Sequence, residues 1–288
     1  MNTGSFFTIG STHLVCEDYA LHGKDYVILS DGCSNGGGPR IHTDWGSRIL
    51  CKAAEEHIQL LEFDELNENP TWPNIDAFFN RVIGTASAQV ASYPNLDPRC
   101  LTATLAIAYQ TKGQILAIMY GDGVMGAKFK NGDWCMQEIS FPKSAPYYLK
   151  YELNPTDKQQ YFKEYGGIKN IQYWGGSNFE KITQKEIDIR NLPYEYCVFD
   201  SSDVEFVFIS SDGLSSFYEQ EINSTSKLNK RLDLIEPLKL LLDFRNFQPG
   251  FVERQYQWTF KTNREGSFGK KGWINGDDVS LGVIYCGG

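Results

Sequence analysis

The stretch "YVILSDGCSNGGG", Tyr26–Gly38, runs through an apolar segment, Tyr26 to Leu29, and then stops on Ser30, Asp31 and Gly32 before a glycine-rich loop. The same word returns in "FVFISSDGLSS", Phe206–Ser216, where Asp212 and Gly213 follow Val207, Phe208 and Ile209. A short apolar run without polar alternation is the pattern of a strand covered on both faces. An ionised carboxyl at its end cannot follow that strand into the core without a partner. The glycine after each acid lets the backbone turn sharply and come close to an ion or a ligand.

Working outward, two helices follow the first word. "HTDWGSRILCKAAEEHIQLL", His42–Leu61, places Trp45, Ile49, Ala53, Ile58 and Leu61 on one face, with Thr43 or Asp44 as N-cap. "NIDAFFNRVIGTASAQVASYP", Asn74–Pro94, places Ile75, Phe78, Phe79, Val82, Ile83, Ala86 and Val90 together, capped by Asn74 and stopped by Pro94. Strands then dominate: a hairpin turning at Lys112-Gly113, a second turning at Asn131-Gly132, and the runs Glu205–Ile209 and Val279–Tyr285. Strands joined by short turns, with helices that each have one apolar stripe to cover, favour an α+β fold of antiparallel sheets. Residues 141–200, rich in Tyr and Lys and broken by Pro and Gly, are expected as a partly irregular insertion between core strands. A helix is expected around Leu232–Phe244, then a less regular return. No linker divides the chain, so 1–288 is expected as one domain.

Five acids share a position beside apolar runs: Asp18 in "CEDYA", Asp31, Asp122 after "ILAIMYG", Asp212, and Asp277 opening "DDVSLGVIY". Carboxylates at strand ends can converge at one sheet edge, and like charges there call for protonation or a cation. Oxygen donors without His or Cys pairs point to magnesium, manganese or calcium rather than zinc. "GDGVMG", Gly121–Gly126, is a G-x-G-x-x-G, but a hairpin rather than a helix follows it, so it is no dinucleotide fingerprint. "DGCSNG" fails as an EF-hand, with Cys33 third and His42 twelfth.

Composition narrows the classes. With 27 Lys+Arg against 36 Asp+Glu, net charge −9, the chain lacks the footprint of a general nucleic-acid binder. Its seven cysteines contain no C-x-x-C pair, which argues against a thiolate zinc site and for reduced thiols in a cytoplasmic protein. No apolar run reaches the length of a membrane span and the first residues do not read as a leader, so a soluble, unexported protein without membrane association is expected.

E-D before a strand, strand-D-G with a loop and helix, a Thr-rich strand, strand-G-D, strand-S-D-G and D-D opening the last strand occur in that order from Glu17 to Ile284. The set resembles the metal-dependent protein phosphatases of the type 2C (PPM) family, especially their divergent bacterial branch. The resemblance implies a four-layer sandwich of two antiparallel β-sheets flanked by α-helices, with residues 141–200 as a flap. It implies two Mn²⁺ or Mg²⁺ ions. Asp31 would bridge them, the Gly32 carbonyl would hold one, and Asp212 and Asp277 the second. Glu17 and Asp18 would act through water, and Asp122 with Asp18 would serve a third, weaker ion. Hydrolysis of phosphoserine and phosphothreonine in proteins is the activity implied, and a partner kinase the analogy. Three departures stand out. His13 replaces an arginine that clamps phosphate, Cys33 replaces a histidine linked to acid catalysis, and "GDG" replaces G-D-S-R. Arg40 is an alternative phosphate clamp. A non-catalytic phosphoprotein-binding scaffold and a small-phosphoester hydrolase are the rival readings.

Overall fold

The computed structural model describes residues 2–33, 41–61, 74–220, 230–264 and 272–287. Along the chain run β1 (Asn2–Thr8), β2 (Tyr19–His22), β3 (Tyr26–Ser30), α1 (Thr43–His57), α2 (Ile75–Ala91), β4 (Leu105–Thr111), β5 (Gln114–Tyr120), β6 (Gly123–Phe129) and β7 (Trp134–Ser140). Then come α3 (Pro155–Tyr165), β8 (Ile168–Gly176), β9 (Glu180–Asp188), β10 (Tyr194–Asp200), β11 (Val204–Ser210), β12 (Phe217–Gln220) and β13 (Lys230–Arg231). The chain closes with α4 (Ile235–Leu241), α5 (Phe251–Arg264), β14 (Gly272–Asn275) and β15 (Val279–Tyr285).

Two large antiparallel sheets form, one of seven strands in the order β1-β15-β11-β6-β7-β8-β9 and one of five in the order β10-β5-β4-β3-β2. A small third sheet, β13-β12-β14, sits beside them. Helices α1 and α2 pack on each other and α1 on β2 and β3, while α5 packs on β1 and β14. The α+β sandwich of antiparallel sheets with flanking helices is therefore the fold, as expected.

The apolar runs explain the layering. In β11, Val204, Val207 and Ile209 face the inter-sheet core, with Ile28 and Ile118, whereas Phe206 and Phe208 face the other way, with Leu238 and Phe251. In β15, Ile284 joins the first cluster and Leu281 and Val283 the second. Both faces of these strands are dry, so alternation by two survives in the geometry but not in the sequence.

Several local expectations need correction. Trp45 does not share the buried stripe of α1: it is 50% exposed and meets Tyr93 edge-on at 6.2 Å. The residue before α1 is His42 in a left-handed conformation, without a side-chain cap, so neither Thr43 nor Asp44 caps the helix. Asn74 stands at the start of α2 but its side chain makes no cap hydrogen bond. The less regular return after residue 244 contains α5, whose Phe251 and Val252 are buried. The 141–200 stretch holds α3 and three strands that extend both sheets, β8 and β9 on one and β10 on the other.

Candidate functional site

The two repeated words end on adjacent sheets. Ser30, the last residue of β3, donates to Thr104 O at 2.6 Å, and Asp31 N donates to Thr104 Oγ1 at 3.0 Å. Ser210, the last residue of β11, donates to Ser280 O at 2.6 Å. Each buried serine spends its hydroxyl on a neighbouring strand, which lets the next residues leave the sheet in a set direction. The glycines act by size rather than by conformation. A Cβ on Gly213 would fall 1.8 Å from Asp278 O, and one on Gly32 would fall 2.9 Å from both Glu17 O and Thr43 O. No side chain fits at either contact.

These contacts bring four sequence-predicted acids together. Asp18 is 1% exposed and neither of its oxygens has a well-formed hydrogen bond, although the Asp31 carboxyl and the Ser211 and Ser280 hydroxyls lie near enough to favour its charge. Burial and then Asp278 push its carboxyl up to about 7. Asp31 is raised well above the usual carboxylate range, by burial first and then by Asp18 and Asp212. Burial and Asp212 raise Asp122, and burial and Asp277 raise Asp212. Asp277 is at the rim, its side chain 48% exposed. Glu17 accepts from the Thr43 hydroxyl at the start of α1.

Asp278 was not singled out from the sequence. It is 2% exposed and accepts from Gly10 N at 2.6 Å and Glu17 N at 2.5 Å, which ties residues 10–17 to the start of β15. His13 places Nδ1 3.1 Å from Asp278 Oδ1 and Nε2 3.3 Å from Asp277 Oδ1. Burial works against the charge of this imidazole, but Asp278 and Asp277 hold it above its ordinary value. Both ring nitrogens thus lie within ion-pair distance of carboxylates. Arg40 lies outside the described residues. Cys33 lies against the Tyr148 hydroxyl; burial raises the thiol and the tyrosine partly offsets this. Tyr148 and Arg231 are further neighbours that the sequence reading did not select. Nothing local in the sequence marks them, because they arrive from distant segments.

Among the described residues no three His, Cys, Asp or Glu side chains already stand around one point as metal ligands do. The donor set nevertheless fits a hard divalent cation. It is all carboxylate, its members raise one another's affinity for protons, and the deepest of them has two orphaned oxygens. A cation would supply the missing opposite charge.

The sequence matches the family model described as protein phosphatase 2C over residues 10–243, and the chain belongs to that family. No curated protein matches the sequence. Among solved structures, a bacterial serine phosphatase is similar with a TM-score of 0.51 and 11% identity, over 100% of this chain and 98% of that one. An arginine-to-alanine variant of a bacterial serine phosphatase is similar with a TM-score of 0.52 and 8% identity, over 99% of this chain and 98% of that one. The catalytic domain of the serine/threonine phosphatase PstP, in complex with two manganese ions, has a TM-score of 0.48 and 13% identity, over 98% of this chain and 96% of that one. The likeness to the first two, at these identities, speaks for the fold alone. No helix among the described residues is long and apolar enough to cross a membrane.

Proposed function

We propose that the chain is a Mn²⁺- or Mg²⁺-dependent phosphatase acting on phosphoserine and phosphothreonine in proteins. The observation that carries this reading is the convergence of Asp18, Asp31, Asp122 and Asp212, with Asp277 at the rim, in a chain of the protein phosphatase 2C family. Asp31 with the Gly32 carbonyl, and Asp212 with Asp277, are the residues to hold two ions; Asp122 and Asp18 suit a third. When bound, such ions lower the pKa of a water aimed in line at phosphorus and offset the charge that builds on the phosphate, without a covalent phospho-enzyme.

The chain's own residues do the rest. Asp278 and His13 hold Asp277 in place from one side, and the Thr43 hydroxyl orients Glu17 from the other. The close approach at Gly32 sets its distance from Glu17 and Thr43, and that at Gly213 its distance from Asp278. The dense carboxylates repel a phosphate dianion until cations are in place, so metal and substrate are expected to bind in that order.

The test is hydrolysis of p-nitrophenyl phosphate and of a phosphothreonine peptide, with and without manganese, beside Asp31→Asn and Asp212→Asn. Metal-dependent turnover of both substrates, lost in both variants, is the expected result. Turnover of the small ester alone would move the reading to a small-phosphoester hydrolase. Activity unchanged in the variants would sink the site.

A further inference from the structure

Trp45, on the first turn of α1, is 50% exposed, and Tyr93, just after α2, is 52% exposed. With His42, Pro94, Asn95 and Leu96 they line a cavity of about 300 Å³, the size of a small ligand pocket. None of the six carries a carboxylate, an ammonium or a guanidinium, in a chain of net charge −9. The walls are fixed by backbone contacts. Leu96 N donates to Tyr93 O at 3.1 Å, and a Cβ on Gly46 would fall 1.7 Å from Cys100 O, so the start of α1 lies directly on the turn Pro98–Leu101. One residue ties this cavity to the acidic centre. His42 lines the cavity in a left-handed conformation, φ 58°, which L-residues disfavour. Thr43, next to it, is buried and donates its hydroxyl to Glu17, while a Cβ on Gly32 would fall 2.9 Å from the Thr43 carbonyl oxygen. A second exposed apolar side chain stands equally near a residue that meets the acids. Leu14, 98% exposed, follows His13, on a loop that Asp278 holds through Gly10 N and Glu17 N. A small ester at the acids would cover neither apolar feature; a peptide segment running out from them can.

We infer that the Trp45–Tyr93 cavity seats a large apolar side chain of the phosphorylated protein segment on which the acidic centre acts. The inference rests on the phosphatase reading above and narrows its substrates. The segment carries an aromatic or large aliphatic residue close in sequence to the phosphorylated one, because the cavity begins one residue from Thr43. Its uncharged lining rewards burial of such a side chain, and the two rings favour an aromatic one. Walls already held in place add no ordering cost on binding.

The experiment uses the full chain loaded with manganese and two phosphothreonine peptides of equal length. One has phenylalanine, the other serine, at the second and third positions on both sides of the phosphothreonine. The readout is the ratio of their kcat/KM values, which cancels any general loss of fold or activity in a variant. The wild type should prefer the phenylalanine peptide at least fivefold. Trp45→Ser and Tyr93→Ser should each bring the ratio close to one, and Trp45→Phe, which keeps a ring, should retain part of it. A wild-type ratio near one, or a preference unchanged in both serine variants, overturns the inference. Should no peptide be turned over, calorimetric dissociation constants of the same two peptides on the manganese-loaded protein decide. A fivefold difference that disappears in Trp45→Ser keeps the seat while the phosphatase reading falls, and equal or undetectable binding removes the seat. Sedimentation covers the remaining occupant: a wild-type dimer that Trp45→Ser turns into a monomer would give the cavity to a second copy of the chain and overturn the inference.

Discussion

Two buried charged regions of this molecule follow opposite rules. At the junction of β8 and β10, Lys169 is 1% exposed, its ammonium 2.7 Å from Glu195 Oε1 as an ion pair. It also donates to Leu192 O at 2.8 Å and Tyr194 O at 2.9 Å. Two hydrogen bonds to backbone carbonyls and an opposite charge at ion-pair distance compensate the burial. At the acidic centre, Asp18 is as deeply buried and has like charges for neighbours. The chain that sets Glu195 against Lys169 has, at its centre, carboxylates that a proton or a cation would relieve. The first region is a structural tie; the second gathers like charges that raise one another's affinity for protons.

The contrast can be broken at either end. The largest effect is expected from Asp31→Asn, which should lower manganese-dependent turnover at least about 100-fold, since the loss of a ligand to a catalytic ion removes several kcal/mol of transition-state stabilisation. Lys169→Met leaves Glu195 buried without its partner. It should cost about 3–5 kcal/mol in chemical denaturation, with much of this recovered in Lys169→Met/Glu195→Gln. Asp18→Asn should have the reverse sign: the melting temperature of the metal-free protein rises, because an uncompensated buried charge is gone, while the rise on adding manganese shrinks. A fall in the metal-free melting temperature would mean that Asp18 is already compensated. Asp278→Asn keeps one acceptor for the N–H groups of Gly10 and Glu17 but loses the charge, and should cost about 1–2 kcal/mol of stability.

The smallest effect concerns His22, which lies 2.9 Å from Ser5 Oγ and whose pKa burial lowers from 6.5. Below 6.5 the unfolded chain takes up this proton more readily than the folded one. The stability it contributes is therefore present above 6.5 and lost as pH falls through the lower folded value. His22→Gln should flatten that part of a melting-temperature profile; an unchanged slope would remove the assignment.

Legibility followed burial. The runs in β3, β11 and β15 could be read because both faces are dry and the sequence is continuously apolar. β9 was passed over because nearly every residue of "EKITQKEID" is exposed, so its place is set by pairing with β8 and not by burial. In α5, "FVERQYQWTFKTNR", aromatic and polar residues mix and blur the helical stripe. The acids Asp18, Asp31, Asp122 and Asp212 were legible because each follows or precedes an apolar strand. Asp278 was hidden, since a D-D pair does not say which carboxyl turns inward. The loop that Asp278 holds lies more than 260 residues away in sequence.

By itself the sequence determined the strand ends, the carboxylates on them, the antiparallel α+β fold and the order of motifs that marks the family. Those follow from local rules of burial and chain reversal. Only the tertiary structure decided which acid is deepest, that Asp278 binds backbone while bearing on Asp18, that His13 faces carboxylates, and that Arg231 reaches Ser215. Each of these depends on the distance between residues far apart in the chain, which no local pattern encodes.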